Sequence, residues 1–230
     1  MPLSLAGHRV ALPADAMQYP GGNLRWVSTI IETAKLNYEL LFPTALHIAD
    51  LADPTSINQR LLDAVSKIRG IEPNSKPQSW ACDLYTTIGN PSLLMEHLAF
   101  QDLLRLFQQQ LIAYAENHSY KVEAPRITEC WLNVYKAGDA QEIHLHRNSM
   151  VSGIYYVSVP EGAGATLFYS PWADVMLSPQ ATEANQLNAT VSGIEPEAGR
   201  VVLFRSALRH SVMPGQFDGE RVTIAFNAML

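Results

Sequence analysis

His144 and His146 stand two residues apart in a short alternating stretch, IHLH. In a β-strand, residues i and i+2 project from one face, so two imidazoles so placed can share one metal ion. A third donor must then come from another strand, and His210 stands at the end of one, GRVVLFRSALRH. By itself an H-x-H pair is a weak signal, since histidines on strands are also solvated or hydrogen-bonded to their neighbours. Glu142 lies two residues before His144 and would share its face, so a Glu142–His144–His210 set is a geometric alternative. The other four histidines, His8, His47, His97 and His118, are scattered and read as surface or core residues.

Arg221 strengthens the pattern. It stands eleven residues after His210, at the start of the next strand-like run, Arg221-Val222-Thr223. The residues that follow, VTIAF, are buried in character, and a buried arginine without a partner is costly. A guanidinium is the natural fork for a carboxylate in a dry pocket. The Thr223 hydroxyl, two residues on, faces the same way. An arginine with a carboxylate-bearing ligand is therefore expected, against the plainer reading of a charge on a strand surface.

The elements that position these residues change character along the chain. Up to about residue 125 the apolar spacing is helical. A helix is expected over 56–69, capped by Ser56, carrying Ile57, Leu61, Leu62, Val65 and Ile68, and stopped by Gly70. A longer one is expected over 92–117, opened by Pro91, with Leu94, Leu98, Leu103, Leu104, Phe107, Leu111 and Tyr114 on its apolar face. A third covers 24–39. Residues 71–80 read as a loop with two prolines. From Ile127 the texture is β: ITECWLNVY, IHLH, VSGIYYVSV, ATLFYS, GRVVLFRS and RVTIAFNAML, separated by Gly, Pro, Asn and Asp. Short strands with no helices between them argue an antiparallel sandwich or barrel, with the earlier helices packed outside. Residues 170–196 read as a long polar loop, the place to expect substrate contacts.

Composition narrows the function classes. The chain has 230 residues, 47% hydrophobic and 17% charged, with a formal net charge of −6. That is enough to bury a core without staples, and one domain is expected over 1–230. A mildly acidic chain has no general pull toward nucleic acid or anionic membrane, so neither is expected as a partner. Cys82 and Cys130 are far apart and in no metal spacing, which suits free thiols in a reducing compartment. Neither a signal peptide nor a membrane-spanning run is read, and a cytoplasmic location is expected.

Over its C-terminal 100 residues the chain resembles the iron(II)/2-oxoglutarate-dependent oxygenases, in particular a bacterial and phage-type group of them. The resemblance runs through Trp131-Leu132-Asn133-Val134-Tyr135, Gly138-Asp139, His144-Leu145-His146, Ser152-Gly153-Ile154-Tyr155-Tyr156-Val157 and Gly164-Ala165-Thr166-Leu167-Phe168. It continues through Pro196-Glu197-Ala198-Gly199 to Phe204, His210-Ser211-Val212-Met213-Pro214, and Gly219-Glu220-Arg221 to Asn227. Order and spacing are more specific than any one piece. Leu41-Phe42-Pro43, Ile57-Asn58 and Trp80 extend the likeness into the first half.

The resemblance implies an α+β chain, mainly β: a double-stranded β-helix core of jelly-roll, cupin-like type with helices packed outside. In the wider superfamily, iron is held by His-x-Asp or His-x-Glu and a distal histidine, a facial triad with open positions. His144 and His210 match its two histidines. Arg221 and Thr223 match the Arg-x-Thr that grips the far carboxylate of 2-oxoglutarate. Tyr135 and Asn133 match positions that line the co-substrate pocket. The chain departs from the superfamily at His146, where a carboxylate is expected, although His-x-His is usual within the group itself. Three neutral imidazoles leave iron(II) at a formal charge of +2 instead of +1, which the dianionic co-substrate can offset, and an all-nitrogen set also suits other metals.

Three functions compete. The leading one is an Fe(II)- and 2-oxoglutarate-dependent dioxygenase that uses O2 to hydroxylate a small molecule or an exposed side chain, with succinate and CO2 as co-products. The second is a three-histidine metal oxygenase that does not use 2-oxoglutarate, against which Arg221-Val222-Thr223 speaks. The third is a non-catalytic binding module, supported only by the altered residue 146. Arg205 and Arg209 flank the strand before His210 and would meet an anionic substrate or lie solvated. Oligomeric state is open, and a homo-oligomer is compatible with the sequence.

Overall fold

The computed structural model describes residues 39–173, 177 and 179–230. The chain divides into two units, residues 1–42 and 43–230. Of the first, only 39–42 are described, without a regular element. The helix expected over 24–39 therefore lies, but for its last residue, outside the described residues. Every described element belongs to the second unit.

Those elements run β1 (His47–Asp50), α1 (Thr55–Ile71), β2 (Tyr85–Thr86), α2 (Leu93–Glu96), a 3-10 turn (Leu98–Phe100), α3 (Gln101–Asn117), β3 (Arg126–Tyr135), β4 (Gln141–His144), β5 (Val151–Ser158), β6 (Thr166–Tyr169), β7 (Val191–Ile194), β8 (Arg200–Arg205), β9 (His210–Val212) and β10 (Arg221–Met229). The strands form two sheets, β1-β8-β5-β10-β3-β2 and β4-β9-β6-β7. Every strand pairing is antiparallel. This is the antiparallel two-sheet arrangement that the run of short strands implied, and the jelly roll that the resemblance implied. β10 lies between β3 and β5 in the larger sheet, and β9 between β4 and β6 in the smaller.

The helices cover the outer face of the larger sheet. Leu61, Val65 and Ile68 of α1 and Leu103, Phe107 and Leu111 of α3 share one buried cluster with Leu132, Tyr155, Leu203, Ile224 and Phe226. Phe107 stacks on Phe226 with ring centroids 4.2 Å apart. Each fully buried side chain of this size contributes roughly 1.5–3 kcal/mol. Tyr155 donates to Asn58 Oδ1 at 2.6 Å, so the buried polar atoms where α1 meets β5 are paired.

Several expectations are corrected. Helix α1 begins one residue before Ser56, which makes no cap; Asp53 Oδ1 instead accepts from Thr55 N–H at 3.0 Å. Gly70 does not end α1, which continues to Ile71. The helix expected over 92–117 is broken at His97, which is extended and whose Nδ1 accepts from Ala99 N–H at 3.1 Å. The break turns Leu98 outward, 88% exposed, away from the apolar face assigned to it. Two strands, β1 and β2, come from the half expected to be helical, and each completes an edge of the larger sheet. β7 lies within the stretch read as loop. The run ending at His210 is two strands, not one: β8 stops at Arg205, the chain turns, and β9 starts at His210 in the other sheet. Both cysteines are free, Cys130 fully buried. Among the described residues no helix is long and apolar enough to cross a membrane.

Candidate metal centre

His144 and His210 face each other across the β4–β9 pair, in direct register. Their ring centroids lie 4.2 Å apart. His146 sits just beyond the end of β4, where its backbone N–H donates to the Ser206 carbonyl at 2.9 Å. Although it has left the strand, its ring comes to 5.2 Å from that of His144 and 5.3 Å from that of His210. One nitrogen from each of the three rings can be chosen so that all lie within 4.8 Å of one another. Three donors at that spacing can surround a single ion.

Two of the rings are oriented by their own strands. His144 Nδ1 lies 2.7 Å from the Glu142 carbonyl and His210 Nδ1 2.9 Å from the Leu208 carbonyl. A carbonyl only accepts, so each Nδ1 carries the proton and each neutral ring offers a bare Nε2. A backbone acceptor behind a ligating imidazole is a common way of aiming it at a metal. His210 is further held between Phe204, at 4.6 Å edge-on, and Phe168, stacked at 6.1 Å. His146 packs on Trp131 at 5.7 Å.

Burial keeps all three rings neutral. It lowers the pKa of His144, brings His146 to about 4 and His210 to about 3, with the neighbouring His144 adding to the last two. Neutral imidazole is the metal-ligating form, so the cluster is ready to bind without losing protons first.

Glu142 does not join this set. The β4–β9 pairing is irregular between Gln141 and His144, which breaks the simple i, i+2 alternation. The Glu142 carboxylate instead accepts from Ala81 N–H. Ile143 is 55% exposed while the histidines on either side of Leu145 turn inward.

One pocket holds the histidines together with Arg221, Thr223, Tyr135 and Asn133. Arg221 is 2% exposed. It donates from Nη1 to the Gly164 carbonyl at 2.7 Å and from Nη2 to Thr166 Oγ1 at 3.3 Å. Its guanidinium also lies over the Tyr135 and Tyr156 rings, at 5.2 and 5.4 Å. Among the described residues no carboxylate pairs with it, and its buried Nε has no hydrogen-bond partner. A buried cation with an unused donor is an anion site awaiting its anion. Burial raises the Tyr135 phenol far above its usual pKa, opposed in part by Arg221, so it stays protonated and can donate.

Asn133 is otherwise engaged. With its amide oriented to suit its neighbours, it donates to Thr86 Oγ1 at 2.8 Å and accepts from Trp131 Nε1 at 3.3 Å. It shapes the pocket wall and holds the tryptophan that packs on His146. Trp80, read from sequence as packing, clusters with Leu84, Tyr135 and Val212 and also lines the pocket. Trp131 and Thr166, which the sequence marked only as parts of the family resemblance, line the pocket, as does Gln141, which carried no signal in the sequence.

The jelly roll thus brings three imidazoles that could hold a metal and a buried arginine with an unpartnered Nε into one pocket. Residues 129–227 match the family described as "Putative 2OG-Fe(II) oxygenase", so this strand-rich part of the chain is similar to that family. No curated protein sequence matches the chain. Solved structures share its fold over most of its length. A prolyl-4-hydroxylase from Pseudomonas putida is 18% identical, covers 80% of this chain and 92% of its own, and superposes with a TM-score of 0.54. HygX from Streptomyces hygroscopicus, determined with nickel, 2-oxoglutarate and hygromycin B bound, is 14% identical over 81% of this chain and 83% of its own, with a TM-score of 0.55. The epimerase SnoN, in complex with Fe3+, alpha ketoglutarate and nogalamycin RO, is 10% identical over 81% and 79%, with a TM-score of 0.57. At these identities the likeness is one of fold.

Proposed function

We propose that this chain is an Fe(II)- and 2-oxoglutarate-dependent dioxygenase that hydroxylates a small molecule or an exposed side chain. In that reaction one atom of O2 enters the product as hydroxyl and the other enters succinate, with CO2 released. The observation that carries the reading is Arg221: a buried guanidinium with an unpartnered Nε, in the same pocket as three neutral, converging imidazoles.

His144, His146 and His210 are the proposed metal ligands. The bare Nε2 atoms of His144 and His210 fit a divalent ion that prefers nitrogen donors. Arg221 and Thr223 are the proposed grip on the far carboxylate of 2-oxoglutarate, and the protonated Tyr135 phenol a further donor. Bound together, the metal and 2-oxoglutarate supply the activation of dioxygen that the side chains cannot. The chain's own part is to place the co-substrate, keep the rings neutral and exclude water with Trp131, Phe204 and Phe226 on the pocket wall. HygX and SnoN were determined with low-molecular-weight natural products bound, which supports a small-molecule substrate, and the prolyl hydroxylase supports a side chain. The three-histidine oxygenase that dispenses with 2-oxoglutarate is disfavoured by Arg221, since it would leave that cation buried without a counter-charge.

Anaerobic titration of the Fe(II)-loaded protein with 2-oxoglutarate tests the reading. A visible metal-to-ligand charge-transfer band is expected on chelation. Iron-loaded protein that develops no band and gains no stability from 2-oxoglutarate would sink it.

A further inference from the structure

Gln141 is the first residue of β4 and is 6% exposed. It lines the same pocket as the histidines and Arg221. Among the described residues its side-chain amide has no hydrogen-bond partner, and neither amide atom is sealed off in the way Arg221 Nε is. The side chain thus lines the pocket with its amide still accessible. An accessible amide in a narrow pocket is hydrogen-bonded by water, and whatever displaces that water must offer the amide a partner of its own. A ligand in the pocket supplies one.

Position says which ligand. Gln141 lies three residues before His144, but their partners Val212 and His210 are two residues apart on β9, which puts it about 7 Å along the strand pair at roughly 3.3 Å per residue. That places it away from the metal ligands and toward Tyr135 and Val212: Val212 is its direct partner on β9, and Tyr135 packs with Val212 in one cluster. Tyr135 lies in turn under the Arg221 guanidinium. The amide is thus at the arginine end of the pocket, about as far from the imidazoles as a five-carbon diacid reaches when chelated at its other end.

Charge explains why an amide suits this place. Three neutral imidazoles leave a divalent metal at +2, and Arg221 adds one more positive charge. A dianion already falls one short of neutralising the pocket, so a second cation would raise the surplus. An amide N–H adds a hydrogen bond and no charge.

Building on the proposed co-substrate, we infer that Gln141 is a positioning residue for 2-oxoglutarate, its amide N–H donating to the far carboxylate beside Arg221. Gln141→Met keeps the size and removes the donor. Gln141→Glu keeps the shape and sets a negative charge against the carboxylate. The test is anaerobic 2-oxoglutarate titration of the Fe(II)-loaded full chain, with Ni(II) affinity measured separately on each variant and pyruvate, which lacks the far carboxylate, as a second probe. Affinity for 2-oxoglutarate should fall on the order of tenfold in Gln141→Met and about a hundredfold in Gln141→Glu. Ni(II) affinity should stay within about twofold, and pyruvate should not discriminate wild type from Gln141→Met. Unchanged 2-oxoglutarate affinity in both variants would overturn the inference. So would a parallel fall in Ni(II) or pyruvate binding, which would place Gln141's effect at the metal. Wild-type protein that binds iron but not 2-oxoglutarate would overturn the proposed function and this inference together; wild type that binds with both variants unaltered would overturn the inference alone.

Discussion

Replacing Arg221 by methionine separates co-substrate binding from metal binding. The guanidinium stands at the far side of the pocket, and none of its hydrogen bonds reaches a histidine. Metal affinity should therefore be unchanged. Two effects on the ligand-free fold oppose each other. The variant loses the donations to Gly164 and Thr166 at 2.7 and 3.3 Å, each worth about 1 kcal/mol. It also loses a buried, unpaired positive charge, which is itself destabilising. Methionine nearly fills the aliphatic volume, so the melting temperature without ligand should move little. The co-substrate loses its countercharge, and truncating one partner of a buried, hydrogen-bonded charge pair costs about 2–5 kcal/mol. That is a weakening of roughly 30- to several thousand-fold. Thermal shift reads the difference. At a 2-oxoglutarate concentration 100 times the wild-type Kd, wild type should be stabilised by about 2.7 kcal/mol. A variant weakened a hundredfold should gain only about 0.4 kcal/mol under the same conditions. An Arg221→Met protein whose 2-oxoglutarate affinity stays within threefold of wild type would refute the reasoning, because the buried cation would then have no part in holding the diacid.

His210→Ala should lose tight metal binding, measured by calorimetry with Ni(II), since it removes the ring aimed by the Leu208 carbonyl and faced by His144; retained affinity would remove His210 from the ligand set. Burial holds His146 and His210 down to about 4 and about 3, below the value of about 6.5 in an unfolded chain. The unfolded chain therefore binds more protons between those values, and the stability of metal-free protein should fall as pH drops from about 7 to about 4. Urea midpoints against pH should show this slope, reduced in a His146→Asn/His210→Asn double variant; identical slopes would count against buried neutral rings. Gly164→Ala should lower both stability and 2-oxoglutarate affinity, because a Cβ there would sit 2.1 Å from the Met213 carbonyl oxygen and displace the carbonyl that anchors Arg221. Overpacking of this kind costs about 1–3 kcal/mol, and a variant with wild-type melting temperature and affinity would show that the segment yields freely.

Much of this molecule is legible from local pattern. A strand repeats every two residues, so ITECWLNVY, VSGIYYVSV and RVTIAFNAML each announce a strand without knowledge of its neighbours; their number and shortness imply an antiparallel sandwich or barrel, and the family resemblance narrows that to a jelly roll. Arg221 is legible for a similar reason: a charge among VTIAF cannot be solvated cheaply. The strands β1 and β2 are not legible, because four and two residues are too few to show a period, and they become strands only by pairing with β8 and β3. The break at His97 is hidden because the apolar spacing continues through it while a single side chain caps the turn.

Local sequence therefore singled out the residues proposed to bear the chemistry: the His144–His146 pair, His210, and Arg221 with Thr223. Their convergence was decided by tertiary structure alone. His144 meets His210 because β4 pairs with β9, and β9 is in that sheet only because the chain turns after Arg205 and crosses over. An irregularity in that pairing turns Glu142 out of reach and Gln141 into the pocket, and the packing of Thr86 and Trp131 commits the Asn133 amide to the wall. The physical reason is one of range. Alternation along a strand is set by each residue's own backbone, whereas strand partners, bulges and side-chain commitments are set by contacts between residues far apart in the chain.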